Sequence, residues 1–127
     1  MRLTGKRANW PRLSPDSKFV ACGYEQDGKT KLAIVPIEGG EPLKIFDVPR
    51  LANFRLGIRW TPDGKAVSYR DWINGIWKQD LAGGEPERLA ALPQEKIYGY
   101  GWSRDGRLFA FTRNIESRDV ILLGIVK

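Results

Sequence analysis

Three stretches of this chain align with one another, and that internal repeat constrains the fold more than any other feature. They are "LSPDSKFVACGYEQDGKTKLAIVPIEGGEPLKI" from Leu13, "WTPDGKAVSYRDWINGIWKQDLAGGEPERL" from Trp60 and "WSRDGRLFAFTRNIESRDVILLGIVK" from Trp102. Asp16, Asp63 and Asp105 share one position, at spacings of 47 and 42 residues. Gly39-Gly40-Glu41-Pro42 and Gly83-Gly84-Glu85-Pro86 share another, 44 residues apart.

Within each unit the signals are those of short strands. Phe19 to Cys22, Ala66 to Tyr69 and Leu108 to Phe111 are apolar runs that follow a polar turn. Lys31 to Ile37, Gly75 to Leu81 and Asp119 to Ile125 are further runs rich in branched and aromatic residues. Near-continuous apolarity predicts sheets covered on both faces. No stretch carries a helical period, so the expected class is all-β. A period of about 40 to 45 residues with several strands per unit is that of propeller blades.

The pattern W-[ST]-x-D-G-[KR], a strand, a variable loop, a strand and then Gly-Gly-x-Pro resembles the TolB-type, WD40-like β-propeller repeat. That repeat also builds the propellers of prolyl-oligopeptidase-like enzymes and the C-terminal propellers of some bacterial Ser/Thr protein kinases. The segment "NGIWKQDLAGGEPERLAALPQEKIYGYGWSRDGRLFAFTR" is most similar to the kinase-linked group. Arg104 stands where Pro is usual, Ser17 where Gly is usual, and Leu13 where the repeat has Trp. The resemblance implies a propeller; it does not imply one activity, because propellers host many.

With strands labelled A to D from the axis outward, the third unit ends on strand C at Lys127. Its outer strand is expected from the other terminus, where Arg2-Leu3-Thr4 resembles the tail of a unit. The single domain 1–127 would then hold blades at about 9–49, 53–94 and 97–127 plus strand 1–5. Three blades are fewer than the usual four to eight, and an open half-ring would leave a flat apolar face of about 350 Å² at each end. The expectation is a homodimer that closes a six-bladed ring by exchanging N-terminal strands; a piece of a longer propeller or longer parent protein is the alternative.

At 127 residues and 42% apolar content the chain can bury a core. It has no histidine, which removes imidazole acid/base, nucleophile and metal chemistry. Its one cysteine, Cys22, sits in an apolar run and is expected to be a buried, inert thiol. No Gly-x-Ser-x-Gly motif and no close carboxylate pair stands out; Asp71, Glu95 and Glu116 are isolated, so no enzyme, metal or other cofactor is expected. The turn aspartates Asp16, Asp63 and Asp105 are expected to bond nearby backbone amides. Net charge is +6, but Lys and Arg are interleaved with acids, so nucleic-acid binding is expected to be weak and nonspecific at most. No membrane span is coded, and the basic start lacks the apolar core of a signal peptide. The compartment follows that of the parent protein, cytoplasmic or periplasmic.

The A–B and C–D connections are stereotyped and fall on one face of the propeller; the B–C and D–A connections vary and fall on the other. Trp60, Trp77, Trp102, Tyr69 and Phe111 lie in expected strands and serve blade packing. The D–A set "GKRANWP", "PRLANFRLG" and "PQEKIYGYG" mixes basic and aromatic residues, among them Lys6, Arg7 and Lys96. Trp10, Arg50, Phe54, Arg55, Tyr98 and Tyr100, with Trp72 of the loop "RDWING", are the candidate ligand-binding residues. The competing role for these aromatics is to seal blade junctions. The expected function is a non-catalytic scaffold or sensor module binding a protein, peptide or small ligand through this face. A glycan-hydrolase or lactonase propeller and a weak nucleic-acid binder are the alternatives.

Overall fold

The computed structural model describes residues 8–49, 52, 54, 57–71, 75–91, 97–113 and 120–125. They form three antiparallel sheets and no α-helix. The first sheet is β1 (Ala8–Leu13), β2 (Phe19–Gln26), β3 (Lys29–Pro36) and β4 (Lys44–Phe46). The second is β5 (Ile58–Trp60), β6 (Ala66–Arg70), β7 (Gly75–Asp80) and β8 (Glu87–Ala91). The third has β9 (Ile97–Trp102), β10 (Leu108–Arg113) and β11 (Val120–Ile125). In each, neighbours in sequence are neighbours in the sheet, the up-and-down meander of a propeller blade. The strand expected to complete the third blade, 1–5, lies outside the described residues.

Turn chemistry sets this order. Ser14, Thr61 and Ser103 each donate a hydroxyl to the aspartate two residues on, at 2.6, 2.7 and 2.7 Å. The same Oδ1 accepts the backbone N–H of Lys18, Lys65 or Arg107, at 3.0, 2.9 and 3.1 Å. The hydroxyl oxygen also accepts the N–H that opens the next strand, Phe19, Ala66 or Leu108. Three copies of one sequence motif thus make one A–B turn three times, and the aspartates are occupied by it. Asp27 and Gly28, both at positive φ (53° and 76°), turn β2 into β3 as a two-residue hairpin.

The main core lies between the first two blades. Ala21, Leu32 and Ile34 of the first meet Ile58, Val67 and Tyr69 of the second, with Phe54 from the connection. Phe54 packs edge-on against Tyr69, with ring centroids 5.3 Å apart at 77°. β6 is buried along its whole length, its polar Ser68 and Arg70 included, because blades flank it on both sides. Lys44 Nζ of the first blade donates to the Leu81 carbonyl of the second.

One expectation is corrected. A lone half-ring was expected to leave the face of the first blade pointing away from the second open, for a second copy to cover. Its central residues Val20, Cys22, Tyr24, Ala33 and Val35 are instead at most 4% exposed in the single chain. They form their own cluster with Ala8. Only rim residues of this side, Leu13, Leu43 and Ile45, remain open to solvent.

Candidate functional site

Two concavities lie at opposite ends of the blades. On the variable-loop face, the hairpin residues Lys29 and Thr30 and the connection residues Val48, Pro49 and Ala52 border a hollow of 570 Å³. At the other end, where the inner strands run into the A–B turns, Arg12, Arg59, Trp60 and Trp102 line a cleft of 310 Å³, with Leu13 and Ile58 behind them.

The sequence candidates divide between packing and surface. Trp10, expected in a loop, lies inside β1 at a bulge: it and Pro11 stand opposite the single residue Cys22, and its φ is 56°. The residue is 41% exposed. Trp10 and Phe54 are brought together over Gly23, where an added Cβ would meet each ring at 3.0 Å. Gly23 is therefore a seat for two aromatics, and even alanine would force them apart. Phe54 is buried in the core, the sealing role for these aromatics.

Tyr98 and Tyr100, also expected in a loop, belong to β9. Tyr100 is 7% exposed and its hydroxyl lies 2.9 Å from Ser68 Oγ. The Arg59 guanidinium stands over its ring, 5.7 Å from the centroid. Burial pushes its pKa up to about 12. Arg50, Arg55 and Trp72 lie outside the described residues, as does the side chain of Tyr98.

Asp71 is a structural acid. Its Oδ1 accepts the Gly75 N–H at 2.7 Å and its Oδ2 the Trp77 indole N–H at 2.8 Å, in a site 3% exposed. Among the described residues no group of three metal-ligating side chains converges.

Arg12 and Arg59 were not among the sequence candidates. Both occupy the position just before the repeat's Trp or Leu, and the third repeat has Gly101 there. The sequence signal was this alignment column. Both side chains are exposed, and neither has a carboxylate partner among the described residues. Guanidinium stays protonated at any ordinary pH, so the cleft offers fixed positive charge and indole faces, groups suited to binding.

No protein-family model matches this sequence, and a search of curated proteins returns no match. Solved structures do match in fold. The β-propeller domain of the Trilobed protease from Pyrococcus furiosus, described as having an open velcro topology, aligns with a TM-score of 0.62 at 15% identity, over 96% of this chain and 41% of that one. A "putative 6-phosphogluconolactonase" from Bacteroides uniformis aligns with a TM-score of 0.55 at 15% identity, over 94% of this chain and 42% of that one. The chain thus spans about two fifths of each neighbour. Blade meanders and these likenesses together define a β-propeller-like fold.

Proposed function

We propose that the chain is a non-catalytic β-propeller module that binds a protein, peptide or small ligand on its variable-loop face. The observation that carries this reading is the 570 Å³ hollow beside Lys29, Thr30, Val48, Pro49 and Ala52. It combines an apolar wall with one flexible cation and is bordered by two connections that differ from blade to blade. Its described lining holds no acid and no base that works near neutral pH. The repeat pattern supports a TolB-type module of the kind linked to bacterial kinases, derived from or part of a longer protein. The lactonase alternative has a neighbour's description behind it but no residue constellation among the described residues.

Peptides selected from a displayed library against the folded protein test the reading. Binding should weaken at least tenfold on Thr30→Trp or Lys29→Glu, both exposed positions. Selected peptides indifferent to both changes would remove this face from consideration. Hydrolysis of a sugar lactone, abolished by one carboxylate substitution, would make the protein an enzyme instead.

We also propose that two copies pair into a six-bladed ring. Each repeat tryptophan reaches back to the preceding blade: the Trp60 indole donates to the Arg12 carbonyl at 2.8 Å and that of Trp102 to Ser68 Oγ at 3.1 Å. Leu13 holds this position in the first blade and is 52% exposed, the place a preceding blade would fill. Light scattering across a dilution series should give twice the 14.4 kDa chain mass; a folded monomer throughout would rule the ring out.

A further inference from the structure

We propose that the axial cleft between Arg12 and Arg59 is a second binding site, for a small ligand that carries an oxyanion, phosphate or carboxylate, on a planar or apolar body. It lies at the end opposite the variable loops and does not depend on the reading given for them.

Two observations carry it. Arg12 and Arg59 come from equivalent positions of β1 and β5, and the Trp60 indole clamps the two strands by bonding the Arg12 carbonyl at 2.8 Å. Equivalent positions on neighbouring inner strands line the same cleft, so like charges are gathered without a carboxylate partner among the described residues. An anion bound in the cleft would face both positive charges at once. Guanidinium forks also match the oxygens of phosphate and carboxylate in pairs.

The third repeat contributes space in place of charge. An added Cβ at Gly101 would meet no atom within 4 Å. The third repeat therefore adds no guanidinium, and the charge at this end comes from Arg12 and Arg59 alone. Trp60 and Trp102 flank the opening, so a planar or apolar body attached to the anion has indole surface to lie against.

Position is held from behind. Arg59 stands over the Tyr100 ring at 5.7 Å. The Tyr100 hydroxyl meets Ser68 Oγ, which also accepts the Trp102 indole N–H at 3.1 Å. One wall and one cation are therefore fixed by a common buried hydroxyl. A cleft of 310 Å³ admits a small molecule. A nucleic-acid strand would need a continuous basic track, and the basic residues elsewhere are interleaved with acids.

The test is a ¹H–¹⁵N titration that follows the five tryptophan indole signals, with inorganic phosphate, phenyl phosphate, benzoate and neutral benzyl alcohol as separate probes. Phenyl phosphate or benzoate should shift the Trp60 and Trp102 indoles, and the ratio of their affinities decides between phosphate and carboxylate. Arg12→Gln and Arg59→Gln should each weaken binding at least tenfold while leaving the thermal midpoint in place. The inference is overturned if no anion moves the two indoles, if benzyl alcohol moves them equally, or if the Gln variants bind as the parent does. None of these results bears on peptide binding at the variable-loop face, so the two readings fail separately.

Discussion

Ser68 Oγ lies 2.9 Å from the Tyr100 hydroxyl, across the junction of the second and third blades. Ser68 is fully buried, donates to the Arg59 carbonyl at 3.2 Å and accepts the Trp102 indole N–H at 3.1 Å. Tyr100 is therefore the donor in the pair, consistent with a phenol kept protonated by burial. One small hydroxyl joins β5, β6 and β9. Ser68→Ala leaves the Tyr100 hydroxyl buried without this acceptor, a loss of about 1–3 kcal/mol. The urea midpoint should fall accordingly, and Tyr100→Phe, which removes the orphaned group as well, should cost less. Equal costs for the two would mean that the hydroxyl pair contributes little.

The A–B turns differ at one position. Gly64 and Gly106 take φ of 72° and 74°, and Ser17 takes 62° in the same place. A serine in the left-handed region costs about 1–2 kcal/mol, partly offset because glycine loses more freedom on folding. Ser17→Gly should therefore stabilise the protein by about 0.5–1 kcal/mol, read as a higher thermal midpoint. Gly64→Ser should lower it by a similar amount.

The fold was legible because its turns are written locally. Asp16, Asp63 and Asp105 each bond atoms two residues away, so the spacing in sequence carries the geometry. Trp10 was less legible: "NWP" has the composition of a loop, and the bulge that keeps it within β1 depends on pairing with β2. Whether Phe54 or Tyr100 faces ligand or core is decided by Tyr69 and Ser68 on the adjoining blade, far away in sequence. The pairing of Arg12 with Arg59 is of the same kind. An alignment of repeats puts both in one column, but only the closeness of β1 to β5 turns a column into a cleft. The covered face of the first blade had no local signature, because alternating apolar residues look the same whether a neighbour covers them or not.

Gly75 has no room for a side chain. An added Cβ would fall within 3.1 Å of three Asp71 carboxylate atoms, the same carboxylate that binds the Gly75 N–H and the Trp77 indole. Gly75→Ala must push Asp71 off both partners in a buried site, an expected loss of about 2–4 kcal/mol. Asp71→Asn keeps the shape and one acceptor oxygen but turns its NH2 on the other donor, so it loses one of the two bonds and should cost less than losing both. A Gly75→Ala protein with an unchanged denaturation midpoint would show that this turn can relax freely.

The turn aspartates set an acid limit. Hydrogen bonds hold Asp16 and Asp105 below the ordinary 3.8, first from the Ser14 and Ser103 hydroxyls; for Asp63 the Lys65 backbone N–H leads and the Thr61 hydroxyl follows. A carboxyl with a lower pKa in the folded than in the unfolded chain stabilises the fold above its unfolded value. That contribution is lost as pH falls through the folded value. Thermal midpoints should thus drop below about pH 4. The triple variant Asp16→Asn, Asp63→Asn, Asp105→Asn should start lower at neutral pH and show a flatter decline. Parallel curves for the two proteins would assign the acid loss to other carboxyls.

Cys22 reports on the covered face of the first blade. It is fully buried, and burial pushes its thiol from the ordinary 9.0 up to about 11. The folded pKa exceeds the unfolded one, so this group favours the fold below pH 9 and that preference fades as pH rises towards 11. At pH 8 only about one thiol in a thousand would be thiolate, even with free access. A disulfide reagent should therefore leave the native protein unlabelled at pH 8 and consume one equivalent after denaturation. Cys22 shares its cluster with Tyr24, Ala33 and Val35, so fast labelling would mean that this face opens. The single chain already buries this thiol, so protection should persist on dilution; protection lost on dilution would mean that a second copy is needed to hold the cover in place.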